Sequence, residues 1–274
     1  MSNLVSTQWL AEHLKEVRVV DASWYMPDEM RQPAKEFEAG HIPGAVFFDI
    51  DGIADHATDL PHMMPAPGEF SRAVGALGIG DGETVVVYDG TGIFSAPRVW
   101  WMLKAMGHSS VKVLDGGFPK WKREGGGIET GPAPPQDKFF TAIPQPAILR
   151  HFADVMDIVK SHSAQMVDAR SASRFKAEEP EPRAGVRGGH MPGALNVPWR
   201  NVVAADGTLK PNNQLRAAFA AVDLYRPIVT TCGSGISAAI LMLALEEIGV
   251  SAVAVYDGSW TEWGGRPEAP VVTG

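Results

Sequence analysis

The sequence predicts an α/β protein built from two copies of one domain, each a mostly parallel sheet flanked by helices. Three observations carry that expectation. The same punctuation recurs in both halves of the 274 residues at nearly the same intervals. Short apolar runs that end in Asp, Gly or Cys alternate with helical segments such as 96–106 and 238–247, the pattern of βα units. Finally, prolines interrupt both periodicities midway, at Gly131-Pro132-Ala133-Pro134-Pro135 and Ile143-Pro144-Gln145-Pro146. We therefore expect a domain over 1–130, an extended linker over 131–147 and a second domain over 148–274.

The elements follow in order. Ser6 is placed to cap an amphipathic helix near the N-terminus, which lacks the basic-then-apolar layout of a signal peptide. Val19-Val20-Asp21 reads as a first strand, and His41-Ile42-Pro43-Gly44 as a turn 20 residues after its Asp. Val85 to Asp89 and Val113 to Asp115 read as further strands. The second half answers with Val167-Asp168, then His190-Met191-Pro192-Gly193 at 22 residues, Val229 to Cys232, and Val255 to Asp257. From Asp89 to Asp115 is 26 residues and from Cys232 to Asp257 is 25, with Trp121 and Trp263 each six residues further on. His41 and His190 recur in both halves and so read as turn caps, and Trp100, Trp101, Trp260 and Trp263 as packing.

The stretch 226–249 holds the one cysteine. Pro227 to Thr231 suits a buried strand, and apolar residues at 240, 241, 244, 245 and 248 give a helical spacing closed by Gly249. Cys232-Gly233-Ser234-Gly235 thus sits at a strand-to-helix turn. Its glycines let several N–H groups from residues 233 to 237, Gly235, Ile236 and Ser237 among them, point at one atom, where the helix N-terminus adds partial positive charge. Such a cradle suits an anion, and the thiolate is the reactive form of cysteine. In the first half Asp89 stands where Cys232 stands, and a carboxylate is a poor sulfur nucleophile. Only the second domain is expected to react.

Composition excludes several classes. One cysteine rules out an intramolecular disulfide framework and a cysteine-rich metal site and points to a reducing, cytoplasmic setting. A net charge of −8 argues against nucleic acid as a partner, and the longest apolar run, Ala238 to Leu245, is too short to span a membrane. A cysteine phosphatase needs an arginine about six residues after its cysteine to hold phosphate charge. Ala238 and Ala239 are there instead.

Other candidates lie outside this turn. Arg174 and Arg183 occupy a polar, proline-interrupted loop from Ser173 to Arg183, where guanidiniums can clamp a small carboxylate in a planar way. The competing reading pairs them with Glu178, Glu179 and Glu181 at the surface. Asp51 and His62 lie in a long loop of the first half, and Ser234 can present its hydroxyl to a bound molecule.

Together these residues resemble the two-domain rhodanese family of sulfurtransferases over nearly the whole chain. The resemblance rests on DASWYMP at 21–27, HIPGAVFFDID at 41–51, YDGTGIFSAPRVWWMLKAMGH at 88–108, the RF…PEPR loop at 174–183, GHMPGALNVPW at 189–199, CGSGISA at 232–238 and YDGSWTEWG at 256–264. It implies an inactive first domain, an active second, and a site in the cleft between them. It implies too that Cys232 takes sulfur from a small-molecule donor as a persulfide and passes it to a thiol, cyanide or thioredoxin-like acceptor, without metal or organic cofactor. Arg174 and Arg183 match the family's substrate-carboxylate arginines, and Asp51, His62 and Ser234 its proposed relay. Family members that prefer thiosulfate carry cations directly after the cysteine. Gly233 and Ser234 are neutral, which favours 3-mercaptopyruvate, with thiosulfate as the alternative donor and a sulfur-carrier or binding module as the non-enzymatic one. Ile236-Ser237 stands where the family usually has Val-Thr.

Overall fold

The computed structural model describes residues 2–133 and 136–274, so Pro134 and Pro135 of the expected linker lie outside the described residues. The chain divides into two compact units. The first gathers the residues up to Asp55, Met64–Gln145 and Ala204–Leu209, and the second gathers His56–Met63, Pro146–Val203 and Lys210–Gly274.

The first unit contains strands β1 (Leu4–Val5), β2 (Val17–Asp21), β3 (Val46–Phe47), β4 (Thr84–Tyr88) and β5 (Val111–Leu114), with helices α1 (Thr7–His13), α2 (Pro33–Ala39), α3 (Pro67–Ala76), α4 (Ala96–Ala105) and α5 (Gly117–Arg123). The second contains β6 (Leu149–Arg150), β7 (Gln165–Asp168), β8 (Leu195–Asn196), β9 (Ile228–Thr231) and β10 (Val253–Tyr256), with α6 (Phe152–Ser161), α7 (Ala172–Phe175), α8 (Asn212–Ala218), α9 (Ile236–Glu247) and α10 (Ser259–Gly265). Each unit has one five-stranded sheet, in the orders β1-β5-β4-β2-β3 and β6-β10-β9-β7-β8, with every pairing parallel. The orders are the same once the strands are renumbered, so the repeat in the sequence is a repeat of topology.

Local chemistry accounts for the central elements. β4 and β9 lie mid-sheet and are buried along nearly their whole length, which selects the continuous β-branched runs Val85-Val86-Val87 and Ile228 to Thr231. Ser6 caps α1, its hydroxyl oxygen accepting from the Trp9 N–H at 3.0 Å. The spacing at 240, 241, 244, 245 and 248 predicts a one-faced helix, but α9 also buries Ala238, Ala239, Met242 and Leu243. It is apolar all round and lies within its unit as a central helix, not on its surface. The four tryptophans Trp100, Trp101, Trp260 and Trp263 are fully buried.

His41 and His190 cap turns in the same way in the two units. Each ring stacks on a phenylalanine, Phe37 or Phe175, and its Nδ1 lies 2.8 or 2.9 Å from that residue's carbonyl oxygen.

The described residues of 131–147 form no helix or strand, yet this stretch does not run free. Lys138 donates to the Gly75 carbonyl, Asp81 to that of Phe139, Ile143 to that of Met106 and Gln145 to that of Ala105, at 2.7–3.0 Å. Backbone groups without a helix or sheet still need partners, and here the first unit supplies them. A Cβ on Gly75 would sit 2.5 Å from the Lys138 carbonyl oxygen, so this glycine is what lets the strap lie close. No helix among the described residues is long and apolar enough to cross a membrane.

Candidate active site

Cys232 follows β9 directly and is 2% exposed. The chain then turns through Gly235 in the left-handed region, at φ 85°, and enters α9 at Ile236. That glycine aims its own N–H back at the sulfur, 3.1 Å from Sγ. Ser234 and Ile236 are buried beside it and Ser237 is half-buried. The turn is held from outside by the first residues of α10. The Ser259 hydroxyl oxygen accepts from the Cys232 N–H at 3.2 Å, the Trp260 N–H donates to the Cys232 carbonyl at 2.9 Å, and Thr261 donates to the Gly233 carbonyl from both its N–H (2.8 Å) and its hydroxyl (2.7 Å). Ser259 itself has φ +49°.

Arg174 reaches this turn from α7. A Cβ built on Gly233 would lie 3.0 Å from its Nη2 and 3.6 Å from its Nη1. Gly233 is therefore a glycine for room, allowing a guanidinium to lie against the backbone next to the sulfur. Arg183 joins the same wall, its Nη1 3.4 Å from the Thr261 hydroxyl that holds Gly233.

The surface-pairing reading of these arginines identified a correct partner in the wrong environment. Arg174 does pair with Glu181, Nη2 to Oε2 at 2.5 Å, but the Glu181 side chain is only 4% exposed. Glu181 also accepts from Arg170 at 2.8 Å, and Arg170 holds the Asp168 carboxylate at the end of β7 through several bonds of 2.6–3.2 Å. The result is a buried relay from Asp168 through Arg170 and Glu181 to Arg174. Burial works against the Arg170 charge, but Asp168 and Glu181 more than offset it and keep the guanidinium above its usual range. Reasoning from sequence missed Arg170, Ser259 and Thr261, and it placed Glu181 at the surface. The signal available for Arg170 was its place two residues after the strand-end Asp168, where the first half has Ser23.

Of the expected relay residues, Ser234 is beside the sulfur in sequence and 9% exposed. His62 falls in the second unit, 4% exposed, with a left-handed backbone at φ 61°. Asp51 falls in the first unit, is exposed, and accepts the Trp24 indole N–H at 2.9 Å.

The matching loop of the first unit is built on the same plan. Asp89 follows β4, is fully buried, and accepts five backbone N–H groups at 2.8–2.9 Å: Thr91 and Gly92 on one oxygen, Phe94, Ser95 and Ala96 on the other. Burial pushes this carboxyl up and the N–H bonds oppose it. All five groups are donors, the arrangement a carboxylate anion takes. Gly90, the counterpart of Gly233, has the Tyr25 hydroxyl against it, 2.2 Å from where a Cβ would stand. The two strand-to-helix turns thus share a plan, in which Asp89 accepts five N–H groups and the Cys232 sulfur receives that of Gly235.

Profile comparison agrees with this duplicated geometry. The family model described as "Rhodanese-like domain" matches residues 6–124 and again 152–266. The chain belongs to the rhodanese-like family. Its rhodanese-like sequence is 44% identical to the 3-mercaptopyruvate sulfurtransferase of Escherichia coli K12, over 97% of this chain and 96% of that one. It is 42% identical to the thiosulfate sulfurtransferase of Rattus norvegicus, over 99% and 95%. The crystal structure of SseA from Escherichia coli superposes with a TM-score of 0.88 at 41% identity, covering 95% of this chain and 99% of that one. Relatedness of this extent makes the chain an enzyme of the sulfurtransferase class. Identity alone does not separate the two donors, since relatives named for each match about equally well. That choice falls to the residues around Cys232.

Proposed function

We propose that this rhodanese-like chain transfers sulfur from 3-mercaptopyruvate to an acceptor through a persulfide on Cys232. The Cys232 sulfur attacks the donor sulfur, the donor C–S bond breaks, and its electron pair leaves on the enolate of pyruvate. Protonation at that carbon, aided by Ser234 with His62 and Asp51, completes pyruvate, while the enzyme keeps the sulfur as Cys–S–SH. A thiol, cyanide or thioredoxin-like acceptor then attacks the outer sulfur and regenerates the cysteine. The Gly235 N–H, aimed at the sulfur as the N–H groups of residues 91 to 96 are aimed at the Asp89 carboxylate, stabilises negative charge that develops there when the cysteine is regenerated. The chain's first domain serves as the inactive copy, and its single cysteine fits a cytoplasmic setting.

The observation that carries this reading is the Arg174 guanidinium against Gly233, with Arg183 on the same wall and neutral residues at 233 and 234. A donor carboxylate has a planar cationic partner there, while a dianion finds no second cation after the cysteine. Thiosulfate remains the second reading because of the 42% identity to a thiosulfate sulfurtransferase. The test is to measure pyruvate release from 3-mercaptopyruvate beside thiocyanate formation from thiosulfate and cyanide. We expect the higher kcat/KM for 3-mercaptopyruvate and a loss of about 100-fold in Arg174→Ala, the scale of a lost charge-assisted pair. A wide advantage for thiosulfate, or unchanged kinetics in Arg174→Ala, would contradict the proposal.

A further inference from the structure

We infer that Glu181 sets the donor specificity of this site by holding Arg174 in place and cancelling one positive charge beside Cys232. The inference rests on the reading of Arg174 as the partner of the donor carboxylate. Its basis is the count and placement of buried charges. Asp168 and Arg170 are 2% or less exposed and pair with each other, so their charges cancel. Glu181 is the next buried carboxylate: its Oε1 accepts from both Arg170 and Arg174, and its Oε2 accepts from Arg174. Asp168, Arg170, Glu181 and Arg174 are together neutral, so Glu181 removes one of the positive charges that the two guanidiniums would otherwise bring to this wall. Lowering the positive charge beside the sulfur favours a monoanion such as 3-mercaptopyruvate relative to a dianion such as thiosulfate.

The other carboxylates of the loop do not perform this task. Glu178 and Glu179 are exposed, the first near Lys176 and the second accepting the Ser171 hydroxyl, and solvent and salt screen them. Glu181 differs in being buried and in bonding the guanidinium that faces Gly233. It is a positioning residue, acting on the donor through Arg174.

Neutralising Glu181 adds one unit of positive charge on the far side of the Arg174 guanidinium from the donor, a separation of roughly 10 Å, and a dianion gains about twice what a monoanion gains. At the effective dielectric of a partly buried site the difference amounts to about tenfold in relative kcat/KM. The experiment compares wild type, Glu181→Gln, Glu181→Asp and the exposed control Glu179→Gln with both donors, after thermal denaturation has checked folding. Glu181→Gln is expected to raise the thiosulfate to 3-mercaptopyruvate ratio of kcat/KM about tenfold. Glu181→Asp keeps the charge but is too short to bridge both arginines. It should raise KM several-fold for both donors, through the misplaced Arg174, while holding their ratio, and the control should match wild type. A purely structural role would lower activity with both donors equally. An unchanged ratio in a folded Glu181→Gln protein overturns the inference. Should that variant fail to fold, an unchanged KM in Glu181→Asp overturns it instead. Arg174→Ala separates the two levels: if it impairs 3-mercaptopyruvate turnover while Glu181→Gln leaves the ratio alone, the clamp stands and only the role of Glu181 falls.

Discussion

The turns after β4 and β9 occupy the same place in two copies of one sheet, and they differ in what fills the cradle. After β4, the Asp89 carboxylate takes five N–H groups, and the Tyr25 hydroxyl closes over Gly90. After β9, a thiol receives the Gly235 N–H, and the Arg174 guanidinium lies over Gly233. The supporting chains differ correspondingly. In the first unit the strand-end acid Asp21 is followed by Ser23, and Tyr25 donates to Glu36, itself paired with Arg31. In the second, Asp168 is followed by Arg170, which passes through Glu181 to Arg174. A strand-to-helix turn that aims backbone N–H groups at its first side chain is thus common to both copies. Chemistry requires in addition a nucleophile within it and a cation aimed at it.

Converting one turn into the other tests this most severely. Cys232→Asp should abolish turnover, by at least about 10⁴-fold as for loss of a nucleophile, while its melting temperature stays at or above that of wild type because the carboxylate takes the place Asp89 takes. A variant that lost its fold would show that the two cradles are not equivalent. Next in size, Asp89→Ala should destabilise the first unit by about 2–4 kcal/mol in urea denaturation, since it leaves buried N–H groups without their charged acceptor. A change below about 0.5 kcal/mol would remove the silent cradle from the argument.

A smaller and pH-dependent effect concerns Asp21. Burial raises its carboxyl to about 6 against bonds from Ser23. The folded state therefore holds its proton more tightly than the unfolded chain, so this stabilising contribution is complete below about pH 4 and is lost as pH rises through 6. The shift corresponds to about 3 kcal/mol. Asp21→Asn removes the ionisation, so its stability relative to wild type should increase between about pH 4.5 and pH 7.5. Parallel curves for the two proteins would refute the assignment. Asp168, with Arg170 against it, marks the contrast: its charge is matched within the fold.

Much of this was legible in the sequence because it depends on local pattern. The repeat of Asp, His-x-Pro-Gly and Asp-Gly marked three strands in each half, β2, β4 and β5 and then β7, β9 and β10, and the Gly-Ser-Gly run after Cys232 marked the turn, whereas the two-residue strands β1, β3, β6 and β8 are too short to leave a pattern. What stayed hidden depends on contacts distant along the chain. Ser259 and Thr261 grip the cysteine turn from 27 or 28 residues away, and Arg187 and Trp260 meet 73 residues apart. Glu181 looked like one of three solvated carboxylates, because burial, which separates it from Glu178 and Glu179, is not written in the spacing of charges. The strap over 136–145 misled for a similar reason, since proline content reports the absence of regular structure but not where the backbone then bonds.

The central claim, that Cys232 in an anion cradle is the sulfur carrier, is tested most directly by intact-protein mass spectrometry after exposure to 3-mercaptopyruvate without acceptor. The account predicts one added sulfur atom per chain, released by cyanide as thiocyanate and absent in Cys232→Asp. Pyruvate release with no sulfur retained on the protein, or a sulfur adduct that survives in Cys232→Asp, would contradict it.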